Sequence, residues 1–324
     1  MPKAIRIHQT GGPEVLRWED VEVGDPAAGQ ARVRNTAIGV NFIDTYHRTG
    51  LYPLPLPATL GVEGAGVVEA VGAGVTHVAP GDRVAYVTRP PVGYAEQCLV
   101  PADRLVRIPA GISDEVAAAA MLKGMTVWML VERIHPVKRG ETVLFHAAAG
   151  GVGLIAMQWL RALGAVVIAT VGDDDKAKLA SAAGATHVVV YTREDFVART
   201  RAITGGAGVP VVYDSVGKAT FAGSIDCLRP TGLMVTYGNA SGPVPPVDTG
   251  MLAAKGSLFL TRPTLFTYTA RREDLEEGAR RLFEMIGSGK VRIEVRHRWP
   301  LAQAADAHRA LEGRKTTGSV ILTP

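Results

Sequence analysis

The spacing of apolar and polar positions changes character near residue 124. Before it, short apolar or alternating runs at Lys3–Ile7, Gln30–Val40, 61–71, Arg83–Val87 and 97–100 are divided by turn formers such as Pro26, Pro80, Gly81, Asp82 and Pro101. Strand-length patterns with no helical period between them predict an antiparallel, barrel-like module. The segment LYPLPLP (51–57) holds too many prolines for a central strand, and Ser113 caps a helix expected over 115–122. Beyond 124 the patterns alternate. Strands are expected at 142–146, 166–170, 187–190, 210–213 and 233–237. The helices between them fall before Gly164, at 174–183, near 194–204 and at 219–228. That alternation predicts an α/β fold with a doubly wound parallel sheet. An amphipathic helix follows at 271–286, and the tail 299–322 reads as turn, helix (301–312), turn and closing strand. Three segments result: 1–123, 124–261, and 262–324, the last expected to rejoin the first.

The stretch TVLFHAAAGGVGLIAMQWLRALGAVVIAT (142–170) is the most specific local signal. Strand, small-residue loop, helix and strand in that order set a dinucleotide pyrophosphate against a helix N-terminus. Phosphate oxygens must approach backbone N–H groups closely, and Gly150 and Gly151 allow this, while Gly153 lets the helix lie near the strand. Ala148 stands where the first glycine of G-x-G-x-x-G is usual, giving A-x-G-x-x-G. The competing reading is a glycine turn kept for packing alone.

Composition narrows the picture without redirecting it. The chain has 324 residues, more than the roughly 100–200 of one domain. Hydrophobic residues make up 47% and charged residues 20%, enough for a packed core. The net charge of +4 comes from 35 scattered basic residues. Its short clusters, Arg271 with Arg272 and Arg296 to Arg298, read as solvated faces, so nucleic acid is not an expected partner. The polar start and the lack of an apolar run of ~20 residues predict neither a leader nor a membrane span, and a cytosolic location. Cys98 and Cys227 are the only cysteines, and they read as buried apolar filler.

Several motifs in order carry a resemblance. They are GVNFIDTYHRTGLYP (39–53), GVEGAGVVEAVG (61–72), LKGMTVWML (122–130), HAAAGGVG (146–153), YDSVG (213–217), YGNASG (237–242), KGSLFLTRPTL (255–265) and GRKTTGS (313–319). Through them the chain resembles the medium-chain dehydrogenase/reductase superfamily, within it the zinc-free quinone oxidoreductases related to ζ-crystallin. The resemblance implies a GroES-like catalytic domain (1–123), a Rossmann NADPH-binding domain (124–261), and a C-terminal segment (262–324) returning to the first. It also implies reaction in a cleft between the domains and a homodimer joined at the Rossmann sheet edge. Zinc-dependent relatives place a cysteine ligand where this chain has Asn41 and a histidine where it has Val62. Neither residue replaces thiolate or imidazole, so no catalytic zinc is expected. Glu63 remains, with a structural role.

Without a Lewis acid, reduction of an electrophilic acceptor is an easier task than alcohol oxidation. The implied activity is NADPH-dependent quinone reduction by hydride or one-electron transfer. A 2-alkenal or enone reductase and a nucleotide-regulated RNA-binding crystallin-like protein are the alternatives. The resemblance places Asn41, Asp44 and Tyr46 beside the nicotinamide and ribose and Tyr52 at the acceptor pocket. Blander roles stand beside these: Asn41 as a turn residue, Asp44 as a helix cap, Tyr46 or Tyr52 as core aromatics. Further cofactor contacts implied are Phe42, Ile43, Thr126, Ala149, Val152, Gly172, Ser215, Gly238, Asn239, Phe259 and Thr261. Gly238 could be only a turn, and Phe259 only core. Lys176 matches the NADPH-selective lysine, Tyr191 sits by the adenine ribose or phosphate, and Arg314 is a further candidate. Against this stand three aspartates, Asp173, Asp174 and Asp175, with Asp173 about twenty residues after Gly153, where an acid that favours NADH is expected. Asp174 and Asp175 can equally decorate a helix N-terminus.

Overall fold

A computed structural model describes all residues 1–324. The chain divides into two compact units: Met1–Met125 with Thr269–Gly287 and Ile293–Pro324, and Thr126–Tyr268 with Ser288–Arg292.

In the first unit, strand Gln30–Val40 is the organising element. It pairs antiparallel with Glu63–Val71 on one side, and with Gln97–Pro101 and Ser319–Thr323 at successive positions on the other. Glu63–Val71 continues to Arg83–Val87 and then Leu105–Arg107. Val295–Pro300 joins Ser319–Thr323 in parallel at the far edge. A second, three-stranded sheet has the order Arg17–Asp20, Lys3–Ile7, Ala58–Thr59. Val33, Val68, Val84, Tyr86 and Leu105 form one core, and Ile5, Ile38, Leu60, Tyr94 and Leu322 another. Burying each such side chain stabilises the fold by roughly 1.5–3 kcal/mol.

Several elements differ from the sequence expectation; among them, the strand expected at 233–237 begins at Leu228, and the helix before it ends at Asp226. Ser113 Oγ accepts from the Val116 N–H at 3.2 Å, as a cap should, but the helix it opens runs Asp114–Trp128, well past 122. Gly124 lies within it, at a position where the space a Cβ would fill is taken by Leu282. Val295–Pro300, which lies partly in the segment read as a turn, is a strand. Its alternation is masked by charge: Arg296 pairs with Glu294, and Arg298 pairs with Glu115 at 2.8 Å.

The second unit is a six-stranded parallel sheet in the order His187–Val190, Val166–Val171, Thr142–Phe145, Val209–Asp214, Leu228–Thr236, Phe259–Thr261. In chain order this is 3-2-1-4-5-6, the doubly wound arrangement. Every residue of Val209–Asp214 is buried, as expected for a strand covered on both faces. Leu144, Ile168, Val189, Val212 and Met234 form its core. Both cysteines are free and buried. No helix is long and apolar enough to cross a membrane.

Candidate active site

The glycine loop of the second unit runs from strand Thr142–Phe145 into helix Gly151–Leu163. Its N-cap, Gly150, is extended, and no side chain caps the helix. The first N–H groups and the positive end of the helix dipole are therefore offered to an anion. A Cβ on Gly153 would overlap the backbone of Ala147 and Ala148, so glycine is required there. One on Gly150 would come within 3.2 Å of the Ala147 carbonyl oxygen. The replacement of the first motif glycine also has a reason. The left-handed residue of this turn is Ala147 (φ +54°), whereas Ala148 is buried, with its N–H donating to the Thr170 carbonyl at 3.1 Å.

The next strand ends at Val171, and helix Asp174–Ala183 begins with Asp173 as its N-cap. Asp173 Oδ1 accepts from the Lys176 N–H at 2.8 Å, and its Oδ2 pairs with Lys176 Nζ at 2.9 Å. These contacts, the backbone N–H first, hold the Asp173 carboxyl below the usual aspartate range. Asp174 pairs with Arg193 at 2.5 Å and Asp175 with Lys178 at 2.9 Å. All three acids that seemed to favour NADH are thus matched with cations. Tyr191 is 42% exposed, and its hydroxyl lies where it would stand 3.0 Å from a Cβ on Gly172. The fold therefore gathers Gly172 and Tyr191 next to the turn carrying Lys176.

Ser215 and Gly238 meet at the ends of neighbouring strands. A Cβ on Gly238 would overlap the Ser215 backbone, and the Ala240 N–H donates to the Ser215 carbonyl at 3.2 Å. Gly238 is thus a close-approach glycine as well as a turn residue. Thr261 is half-buried on the edge strand, Thr126 half-buried on the helix Asp114–Trp128, and Asn239 lies in the loop after Gly238. Phe259 is 62% exposed, which removes the reading of it as core.

In the first unit, Asn41 is the N-cap of helix Phe42–Thr49, which carries Phe42, Ile43, Asp44 and Tyr46. The Asn41 N–H donates to Asp44 Oδ2 at 2.8 Å, so the capping role foreseen for Asp44 is real. Asp44 is completely buried. The Tyr94 hydroxyl donates to the same Oδ2 at 3.1 Å, and Oδ1 has no partner. Burial lifts the Asp44 pKa to about 7, against the two hydrogen bonds that lower it. Behind Tyr94 stands His308, whose Nε2 lies 3.0 Å from the hydroxyl. Arg48 Nη1 is 3.1 Å from His308 Nδ1 and the guanidinium holds Glu312 at 2.7 and 2.9 Å. A guanidinium can only donate, so His308 Nδ1 accepts and Nε2–H donates to Tyr94, which in turn donates to Asp44. Tyr46 and Tyr52 pack edge to face, ring centroids 5.3 Å apart. Arg314 is left-handed (φ +56°) just past helix Ala304–Glu312.

Glu63 is fully buried. Its Oε1 accepts from Asn41 Nδ2 at 2.7 Å and Lys123 Nζ at 2.9 Å, and its Oε2 from the Leu122 N–H at 2.7 Å. An ammonium thus stands on the carboxylate that the Asn41 side chain holds, close in sequence to the buried Val62. No group of three or more His, Cys, Asp or Glu residues is placed to hold a metal. These side chains do not fit a zinc ion.

Residues 151–285 match the family described as zinc-binding dehydrogenase, and residues 27–110 the alcohol dehydrogenase GroES-like domain. A quinone oxidoreductase of Pseudomonas aeruginosa is 51% identical over all of both chains. The chain belongs to the quinone oxidoreductase family of the medium-chain dehydrogenase/reductase superfamily. The crystal structure of Escherichia coli quinone oxidoreductase complexed with NADPH superposes with a TM-score of 0.98 at 50% identity, over 99% of this chain and 100% of that one. A 2-haloacrylate reductase of a Burkholderia species is 47% identical over 100% of this chain and 99% of its own. Within this family the "zinc-binding" description does not extend to the residues found here. The motifs for the glycine loop and Asn41–Tyr52 were legible in sequence. The roles of Tyr94, His308, Arg48 and Lys123 were not: Arg48 and Lys123 lie within quoted motifs, but their partners are distant in sequence.

Proposed function

We infer that the chain is an NADPH:quinone oxidoreductase that uses no metal. The observation that carries this reading is full-length identity of about half to quinone oxidoreductases, one of them complexed with NADPH. An uncapped helix and a glycine cradle of the required shape support it. NADPH, when bound, would supply a hydride that carries both electrons, and one solvent proton would then complete the hydroquinone. The chain's own part is placement and water exclusion. In this reading the N–H groups of Gly151, Val152 and Gly153, with Ala149 and Gly150, hold the pyrophosphate. Lys176, Tyr191, Gly172 and Arg314 receive the 2′-phosphate side. Ser215, Gly238, Asn239, Phe259, Thr261 and Thr126 line the ribose and nicotinamide. Asn41, Phe42, Ile43 and Asp44 fix the reacting end, and the Tyr46 and Tyr52 hydroxyls donate toward the acceptor oxygen.

Phe259–Thr261 ends its sheet with Phe259 exposed, which supports a homodimer paired through that edge. Two buried free thiols suit the cytosol. The deciding experiment measures NADPH oxidation with 1,4-benzoquinone, 9,10-phenanthrenequinone, a 2-alkenal and 2-chloroacrylate in parallel. Turnover with the quinones is expected. Oxidation with none of the four acceptors would sink the assignment. The last arm is included because of the likeness to the haloacrylate reductase.

A further inference from the structure

A buried hydrogen-bonded chain stands at the switch point of the parallel sheet, where strands Thr142–Phe145 and Val209–Asp214 are neighbours. His146 follows the first strand and is 1% exposed; Asp214 ends the second and is 0% exposed, as is Ser224. His146 Nδ1 lies 2.8 Å from Thr170 Oγ1, and its Nε2 lies 2.9 Å from Ser224 Oγ. Ser224 donates to Asp214 Oδ2 at 2.9 Å, and Thr220 donates to the same oxygen at 2.7 Å. Asp214 Oδ1 accepts from the N–H groups of Val216 (2.7 Å) and Gly217 (3.1 Å).

Donor counting leaves one arrangement. Ser224 has a single proton, and Asp214 takes it, so Ser224 must accept from His146 Nε2–H. Neutral His146 then accepts at Nδ1 from the Thr170 hydroxyl. Burial favours that neutral form by lowering the imidazole pKa. The direction is therefore Thr170 to His146 to Ser224 to Asp214, with every polar atom used.

We propose that this chain is a positioning device for the nucleotide: it pins three binding loops to one another without touching the ligand. Thr170 leads to Gly172 and the turn of Lys176, and its carbonyl holds the Ala148 N–H. His146 opens the glycine loop. Asp214 fastens the turn that begins at Ser215. The inference rests on the NADPH reading and deepens it.

At an open switch point the two loops leave toward opposite faces of the sheet, so beyond the bond from the His146 N–H to the Tyr213 carbonyl at 3.0 Å backbone pairing cannot hold them together. Directional side-chain bonds in a dry interior can. Loosening them should weaken binding while leaving the reacting end intact.

Thr170→Val, Thr170→Ser and Ser224→Ala separate this role from packing. Val keeps the size and loses the hydroxyl; Ser keeps the hydroxyl and loses a methyl. NADPH Kd by fluorescence titration is expected to rise about tenfold, ~1.4 kcal/mol, in Thr170→Val and Ser224→Ala. Their KM for NADPH should follow, with kcat within about twofold, while Thr170→Ser stays near the parent. Thr170→Ser losing as much affinity as Thr170→Val, or unchanged Kd in both hydroxyl deletions, overturns the proposal. A parent protein that fails to bind NADPH would instead count against the function itself.

Discussion

Asp44 permits the sharpest quantitative test. It is 0% exposed, and burial raises its pKa from 3.8 to about 7. In the unfolded chain the carboxyl returns to the ordinary aspartate value. Between these values the folded state binds more protons than the unfolded state, so ionisation opposes folding. The stability present below the unfolded pKa is lost as pH rises through the folded one, and beyond that the loss is constant. About three pKa units correspond to ~4 kcal/mol, of which roughly 2.5 kcal/mol falls between pH 5 and 8.

Asp44→Asn keeps an acceptor for the Asn41 N–H and Tyr94 hydroxyl but cannot ionise. His47, lowered to about 4, and His308, lowered to about 3, act in the opposite sense, costing stability as pH falls below their unfolded value. Both remain in the variant and cancel from the difference. Urea denaturation of parent and Asp44→Asn at pH 5 and 8, without nucleotide, reads that difference. The variant is expected to gain roughly 2.5 kcal/mol on the parent from pH 5 to pH 8, at equal m values. The same gap at both pH values would refute the reasoning.

Four further outcomes are expected. Gly153→Ala places a methyl on the Ala147 and Ala148 backbone and should raise the NADPH Kd by about tenfold or more with little change in fold, checked by titration beside circular dichroism. Lys176→Ala should raise KM for NADPH about tenfold and leave that for NADH unchanged, since only the phosphate loses a partner. Glu63→Gln strands the Lys123 ammonium in a dry site, costing about 3–5 kcal/mol by thermal unfolding, whereas exhaustive dialysis against a chelator should leave quinone reduction intact.

Local pattern settled much of this protein before any coordinates. Period-two runs and turn formers announced the antiparallel unit. Alternating strands and helices announced the parallel sheet, and helix Asp174–Ala183 and strand His187–Val190 fall where the spacing put them. The glycine loop was legible because phosphate approach and helix packing both act within a few residues. Asn41 and Val62 disclosed the absence of zinc ligands, since ligand chemistry belongs to residue type.

What the tertiary structure alone decided were the partners. His308 reaches Tyr94 across 214 residues and Arg48 across 260, and no period or spacing carries that information. The acid constant of Asp44 is likewise a property of enclosure, since the same residue at the surface would simply cap its helix. Of the acids at 173–175, Asp173 and Asp175 pair with Lys176 and Lys178 three residues along, whereas the partner of Asp174, Arg193, came only with folding. Short-range geometry is written in the order of side chains; desolvation and long-range pairing exist only once the chain closes on itself.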